Sequence, residues 1–192
     1  LRIAISGFNS SGVTATAQAV GERLGLKPLV YTLKDLAREK NIPLEEINAL
    51  KAKEFPKFDY ELDGRNIEAA VDGTILGSDI AVWLVDADLK VWLHASTRTR
   101  AKRMAARENI MLKEALDKVR GRDKSYAEHY KRLYGLSWKK FNEAADLVIN
   151  TERIELDKVA DVIADAAKRL PFGKNKAASR KTKKIHDIIF KK

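Results

Sequence analysis

The sequence predicts an α/β fold in three layers, a parallel sheet of five strands with helices on both faces. Two observations carry that prediction. Short apolar, β-rich runs at Arg2–Ser6, Leu29–Thr32, Thr74–Gly77, Lys90–His94 and Asp146–Asn150 are separated by longer stretches of helical period. These runs are also nearly continuous in apolar character, as strands buried on both faces are. The 192 residues suffice for one such domain and a small appendage.

Helices are expected over Val13–Leu24, Leu33–Lys40, Leu44–Lys51, Asp59–Val71, Thr97–Glu108, Leu112–Tyr134 and Leu156–Leu170. Turn chemistry separates several of them, at Asn41-Ile42-Pro43 and at Lys57-Phe58-Asp59. Pro171 and Gly173 end the last, so the expected division is a domain over 1–170 and a C-terminal tail over 171–192. Within the tail, Ile185, Ile188 and Ile189 fall at the spacing of a short amphipathic helix.

The net charge of +10 is unevenly placed. Residues 174–192 hold eight Lys and Arg against one Asp, a net +7, and leave the rest nearly balanced. Concentrated charge of this kind predicts a polyanionic partner for Lys174, Lys176, Arg180, Lys181, Lys183, Lys184, Lys191 and Lys192. Cysteine is absent, which excludes disulfides, thiolate metal sites and cysteine nucleophiles. No apolar run approaches the length of a membrane span, and with "RIAIS" at residue 2 no leader is expected, so a cytoplasmic protein is predicted. His94, His129 and His186 are scattered and make no metal site, while Trp83, Trp92 and Trp138 read as core or subunit-contact residues.

Chemistry concentrates in "ISGFNSSGVTATAQ", Ile5 to Gln18. A strand runs into Gly7, and Gly12 follows five residues later with Val13 and Thr14 behind it, the spacing of a phosphate-binding P-loop with valine at the lysine position. Gly7, Ser10, Ser11, Gly12 and Thr14 are the nucleotide-binding candidates of this loop. Ser10 stands where such loops usually have a glycine, and a side chain there is expected to crowd a backbone that must approach phosphate.

Residues 1 to about 170 resemble the archaeal type of cytidylate kinase, a P-loop nucleoside monophosphate kinase family. The likeness is carried by "LAREKNIPLEEI" (36–47), "ADLKVWLHAS" (87–96), "RAKRMAARENIMLKEAL" (100–116), "YKRLYGL" (130–136) and "DLVINTERI" (146–154). It implies a P-loop NTPase fold with a helical lid and a monophosphate-binding region, and ATP and Mg²⁺ on the loop with CMP beside it. On this resemblance Thr14 takes the magnesium-binding hydroxyl position, Arg103, Arg107 and Arg122 the lid, and Lys34 and Arg65 the monophosphate region. Residues 174–192 are expected to have no counterpart in the family.

Three departures weigh against catalysis. Val13 supplies neither charge nor hydroxyl. Gly77-Ser78-Asp79 stands where the family has Glu-Gly-Arg, and at an effective dielectric near 20 like charges about 4 Å apart repel by roughly 4 kcal/mol. Leu33-Lys34 replaces Phe-Arg, keeping charge without the bidentate fork. The sequence therefore predicts a catalytically degenerate relative repurposed for RNA binding, with ribosomal RNA and neighbouring proteins of a ribonucleoprotein as partners. The alternative is an active kinase passing the ATP γ-phosphate to CMP or dCMP.

Overall fold

A computed structural model describes residues 1–29, 31–169, 171 and 176–191. Its five strands are β1 (Ile3–Gly7), β2 (Lys27–Leu29), β3 (Thr74–Gly77), β4 (Leu89–His94) and β5 (Leu147–Asn150). They form one sheet in the order β2-β3-β1-β4-β5, and every pair is parallel. The central pairings set Ile3 beside Ile75 and Leu89, and Gly7 beside Leu93.

Ten α-helices are described: α1 (Val13–Leu24), α2 (Leu33–Glu39), α3 (Leu44–Lys53), α4 (Lys57–Ala69), α5 (Ala81–Leu84), α6 (Thr97–Glu108), α7 (Leu112–Tyr134), α8 (Phe141–Ala144), α9 (Leu156–Lys168) and α10 (Lys176–Ile189). A 3-10 turn at Trp138–Lys140 precedes α8. Strand alternation sorts the core into two layers. Ile3, Ile5, Leu89, Val91 and Leu93 pack with Val20 of α1 and Val159 and Ile163 of α9. On the other face Ala4, Leu76 and Trp92 pack with Trp83, Leu84, Tyr134 and Trp138.

That second layer is completed by α10. Ala178, Thr182 and Ile185 are buried at spacings of four and three, one helix face, while Lys176, Arg180, Lys183 and Lys184 point to solvent. The segment read as a basic tail thus holds a helix packed on α4, α5 and α8, with these four cations on the outer side. Lys174 and Lys192 lie outside the described residues.

One strand moves from its expected place. The β-rich run Leu29–Thr32 suggested β2, but β2 starts at Lys27, two residues after the left-handed Gly25 that ends α1. The Lys27 N–H donates to Gly73 O, and the strand pairs with Thr74–Leu76. Thr32 instead begins α2, its N–H and hydroxyl both donating to Asp35 Oδ2 at 2.9 and 2.7 Å. Those bonds hold the Asp35 carboxyl below its ordinary range. All three tryptophans are core residues.

Candidate active site at the carboxyl end of the sheet

The loop after β1 is shaped by steric necessity. A Cβ at Gly7 would lie 2.3 Å from Ser11 Oγ and 2.6 Å from Leu93 O, so only glycine lets the chain fold back against β4. Ser10 and Gly12 then take left-handed conformations, with φ of 63° and 106°. The crowding expected at Ser10 is met by this conformation, which costs a non-glycine residue about 1 kcal/mol. The Ser11 N–H closes the turn onto Phe8 O at 2.9 Å, and α1 begins at Val13 with its first N–H groups aimed at the loop's opening. The Ser11 hydroxyl is buried without a hydrogen-bond partner in the protein, a polar atom inside the turn that a phosphate oxygen or its water could satisfy.

Arginines of α6 and α7 hold this loop from outside. Arg100 donates to Asn9 O at 3.2 Å and Arg103 to Ser11 O at 3.2 Å, while Arg122 reaches Asn9 Oδ1 at 3.3 Å. Arg103 also donates to Thr151 O at 2.6 Å, and its burial pushes the guanidinium down from its ordinary value, with Glu152 acting against that. Arg100 is anchored by a two-bond pair with Asp123 at 2.8 and 2.6 Å. Arg107 pairs with Glu108 at 2.9 Å and stays largely in solvent. Sequence reasoning missed Arg100, although its place four residues after the Ser96 cap aims it back at the loop.

A cleft of about 760 Å³ opens from Val13 and Thr14 between α2, α4 and α7. Gly77, Ser78 and Asp79 form one wall. The α4 wall presents Asp59, Asp63 and Asn66, spaced four and three apart on one face and each buried. Helix α7 answers them from across the cleft: His129 Nε2 pairs with Asp59 Oδ1 at 2.9 Å, and the Tyr134 hydroxyl donates to Asp63 Oδ2 at 2.6 Å. Burial and these carboxylates drive the Tyr130 and Tyr134 hydroxyls well above the ordinary phenol value, so both remain protonated donors. At the rim the Arg132 guanidinium lies 3.6 Å from the Phe55 ring centre.

Two residues expected near the monophosphate sit elsewhere. Lys34 is exposed on α2 and does not line the cleft. Arg65 turns to the outer side of α4, where it pairs with Glu39 at 2.9 Å and Glu61 at 3.8 Å. The facing pairs of α4 and α7 carry no sequence signal, because their members stand about seventy residues apart.

A parallel five-stranded sheet, a glycine-bounded loop at a helix start and a helical pair whose arginines grip that loop define the P-loop kinase fold. Solved structures agree: shikimate kinase from Bacteroides thetaiotaomicron (TM-score 0.59, 12% identity, 88% of this chain and 98% of that one) and deoxyadenosine kinase from M. mycoides with bound dATP (TM-score 0.56, 15% identity, 88% and 100%). The chain belongs to the cytidylate kinase-like family, whose model matches residues 69–153. It is 36% identical to the cytidylate kinase of Pyrococcus horikoshii over 96% of this chain and 97% of that relative. It is 31% identical to cytidylate kinase 2 of Borrelia garinii over 86% and 95%. The Pyrococcus match leaves fewer residues uncovered than 174–192 contains, so part of this segment has a counterpart in that relative, where none was expected. Among the described residues no helix is long and apolar enough to cross a membrane.

Proposed function

We propose that the chain transfers the terminal phosphoryl group of ATP to a cytidine monophosphate held in the cleft. The observation that carries this reading is the α4–α7 face, where Asp59 and Asp63 are buried and fixed by His129 and Tyr134. Carboxylate oxygens accept hydrogen bonds, so this end of the cleft suits a base bearing an exocyclic amino group. A pyrimidine with a carbonyl in that place would bring an acceptor, not a donor, toward the carboxylate side of the cleft. The relatives' names point the same way.

At the other end Gly7, Ser10, Ser11, Gly12 and Thr14 would cradle the nucleotide phosphates through backbone N–H groups and hydroxyls. The donor set fits magnesium. Thr14 offers an oxygen at the cleft mouth, and among the described residues no three His, Cys, Asp or Glu side chains group as a separate metal site, so the remaining ligands would be phosphate oxygens and water. When bound, the ion supplies charge neutralisation on the transferring phosphoryl group. This chain's residues do the rest: the loop orients the donor, the α4–α7 face orients the acceptor, and Arg107 and Arg122, whose side chains are 56% and 39% exposed, can turn toward developing charge. Such chemistry belongs in the cytoplasm, with α10 folded into the same unit as residues 1–170.

Turnover with ATP, Mg²⁺ and CMP, dCMP or UMP tests the reading. CMP and dCMP should be phosphorylated at about one per second or faster and UMP far more slowly. No turnover with any of the three would sink it. Val13 and Asp79 favour a second reading, a protein that binds nucleotide without turning it over and meets RNA through the exposed Lys176, Arg180, Lys183, Lys184 and Lys191 of α10 and its end. Lys181 is half-buried and reaches Gly135 O at 3.5 Å, which leaves it less available. RNA affinity falling steeply with salt, in a chain without turnover, is the outcome that reading requires.

A further inference from the structure

Helix α10 touches both walls of the cleft from behind. On α4, Asp59, Asp63 and Asn66 face the cleft, whereas Gly64 faces the end of α10. A Cβ built at Gly64 would lie 3.4 Å from Ile189 Cγ2 and 3.6 Å from Phe190 Cε1, ordinary contact distances, so the two elements face each other there with room for a methyl group between them. Tyr60, Gly64, Ile189 and Phe190 share a small hollow of about 260 Å³. The second wall, Gly77 to Ile80, runs directly into α5, and the last residue of α5 gives its carbonyl to α10: Leu84 O lies 2.6 Å from His186 Nε2. The His186 ring stands edge-on to Phe190, with centroids 6.0 Å apart. Bond to one wall and packing on the other therefore meet in a single ring pair. Further along, Ser179 Oγ donates to Asp86 Oδ1 at 3.1 Å, which keeps the helix from sliding.

We propose that α10 is a positioning element for the nucleoside monophosphate, with His186, Ile189 and Phe190 setting the separation of α4 from the turn after β3. The proposal rests on the functional reading above, since it assumes that CMP occupies this cleft. The physical reason is the short lever: Gly64 adjoins Asp63 on the same helical turn, so any retreat of α10 lets the carboxylate wall shift. A displacement near 1 Å at a binding face can cost up to about a hundredfold in reactivity even when the altered residue is remote. The hollow that Ile189 and Phe190 share with α4 is lined by no P-loop residue, so ATP should notice little.

The test uses the full chain with Ile189→Ala and Phe190→Ala together, and Gly64→Leu separately, which presses on the same contact without altering α10. Calorimetry should show CMP bound about tenfold more weakly in both, with ATP affinity changed by less than about twofold. The conservative pair Ile189→Val and Phe190→Leu should restore CMP binding. Amide exchange across residues 57–69 should quicken in the alanine variant. Unchanged CMP affinity, or equal weakening of CMP and ATP, overturns the positioning role. A wild-type chain that binds no CMP overturns the functional reading instead, and unchanged exchange in α4 then disposes of the buttress on its own terms.

Discussion

Strand β4 has a buried cation near each of its ends, and the two are treated differently. Just past its carboxyl end, Arg100 is 3% exposed and fully engaged: two bonds to Asp123, one to Ala95 O at 3.1 Å, one to Asn9 O, and a stacked position over Phe8 at 5.1 Å. At its start, Lys90 is equally buried, yet among the described residues its ammonium makes one hydrogen bond, at the limiting distance of 3.5 Å to Thr182 Oγ1 of α10. The difference shows where placement of charge has a task. At the carboxyl end the guanidinium's planar fork fixes the backbone of the phosphate loop; at the other end the lysine's point charge meets a hydroxyl of α10 at the limiting distance.

The largest effect expected from this contrast is at Arg100. Replacing it by alanine strands Asp123, leaves Asn9 O without its arginine donor and opens a gap beside Phe8. Removing one partner of a buried pair costs roughly 3–5 kcal/mol. Chemical denaturation of Arg100→Ala should show that loss together with weakened ATP binding. A loss below about 1 kcal/mol would break the contrast by showing the pair to be solvated in practice.

A cation added at the carboxyl end sharpens the contrast from the other side. Asp79 lines the cleft together with Thr14, where a dianionic phosphate would have to lie. Asp79→Arg combined with Val13→Lys removes a repulsion and adds two donors. Tenfold tighter CMP binding corresponds to about 1.4 kcal/mol and is the order expected. Calorimetry that shows no gain would mean that phosphate sits away from this wall, nearer the α6–α7 arginines.

How much of this was legible in the sequence depended on whether the information was local. Helices α1, α6 and α7 keep the bounds read from sequence, because α6 starts at Ser96, which accepts from the Thr99 N–H, and Gly25, Asn109 and Gly135 end the three in left-handed conformations. Helix α5 was not legible: Ala81–Leu84 is too short to show a period and is wholly buried, so its composition says only "apolar". Of the inward face of α10, Ile185 and Ile189 were legible at helical spacing, but Ala178 and Thr182 were hidden among lysines, because Ala and Thr do not announce a core. In the site, Gly7 and Gly12 could be read because their demands are local. Pairings such as Tyr134 with Asp63 arise only when α4 and α7 are folded face to face.

The smallest expected effect concerns Lys90. Burial pushes its pKa down from the ordinary 10.5, and the attraction of Asp86 and Asp146 only partly opposes this. The folded chain therefore holds this proton less tightly than the unfolded chain. Below the folded pKa both forms are protonated and the full penalty of burying the charge applies. Between the folded pKa and 10.5 the unfolded chain binds more proton than the folded one, so stability rises with pH across that window. Methionine fills nearly the same volume without the charge, and replacing a poorly compensated buried ion in this way is neutral or stabilising, here by about 1 kcal/mol at neutral pH. Lys90→Met should accordingly unfold at a higher denaturant midpoint than the wild type at pH 7, and its advantage should shrink as the pH is raised toward 10. A variant less stable than wild type at every pH would show that Asp86, Asp146 and Thr182 compensate the lysine fully, and the two ends of β4 would then differ in geometry but not in energy.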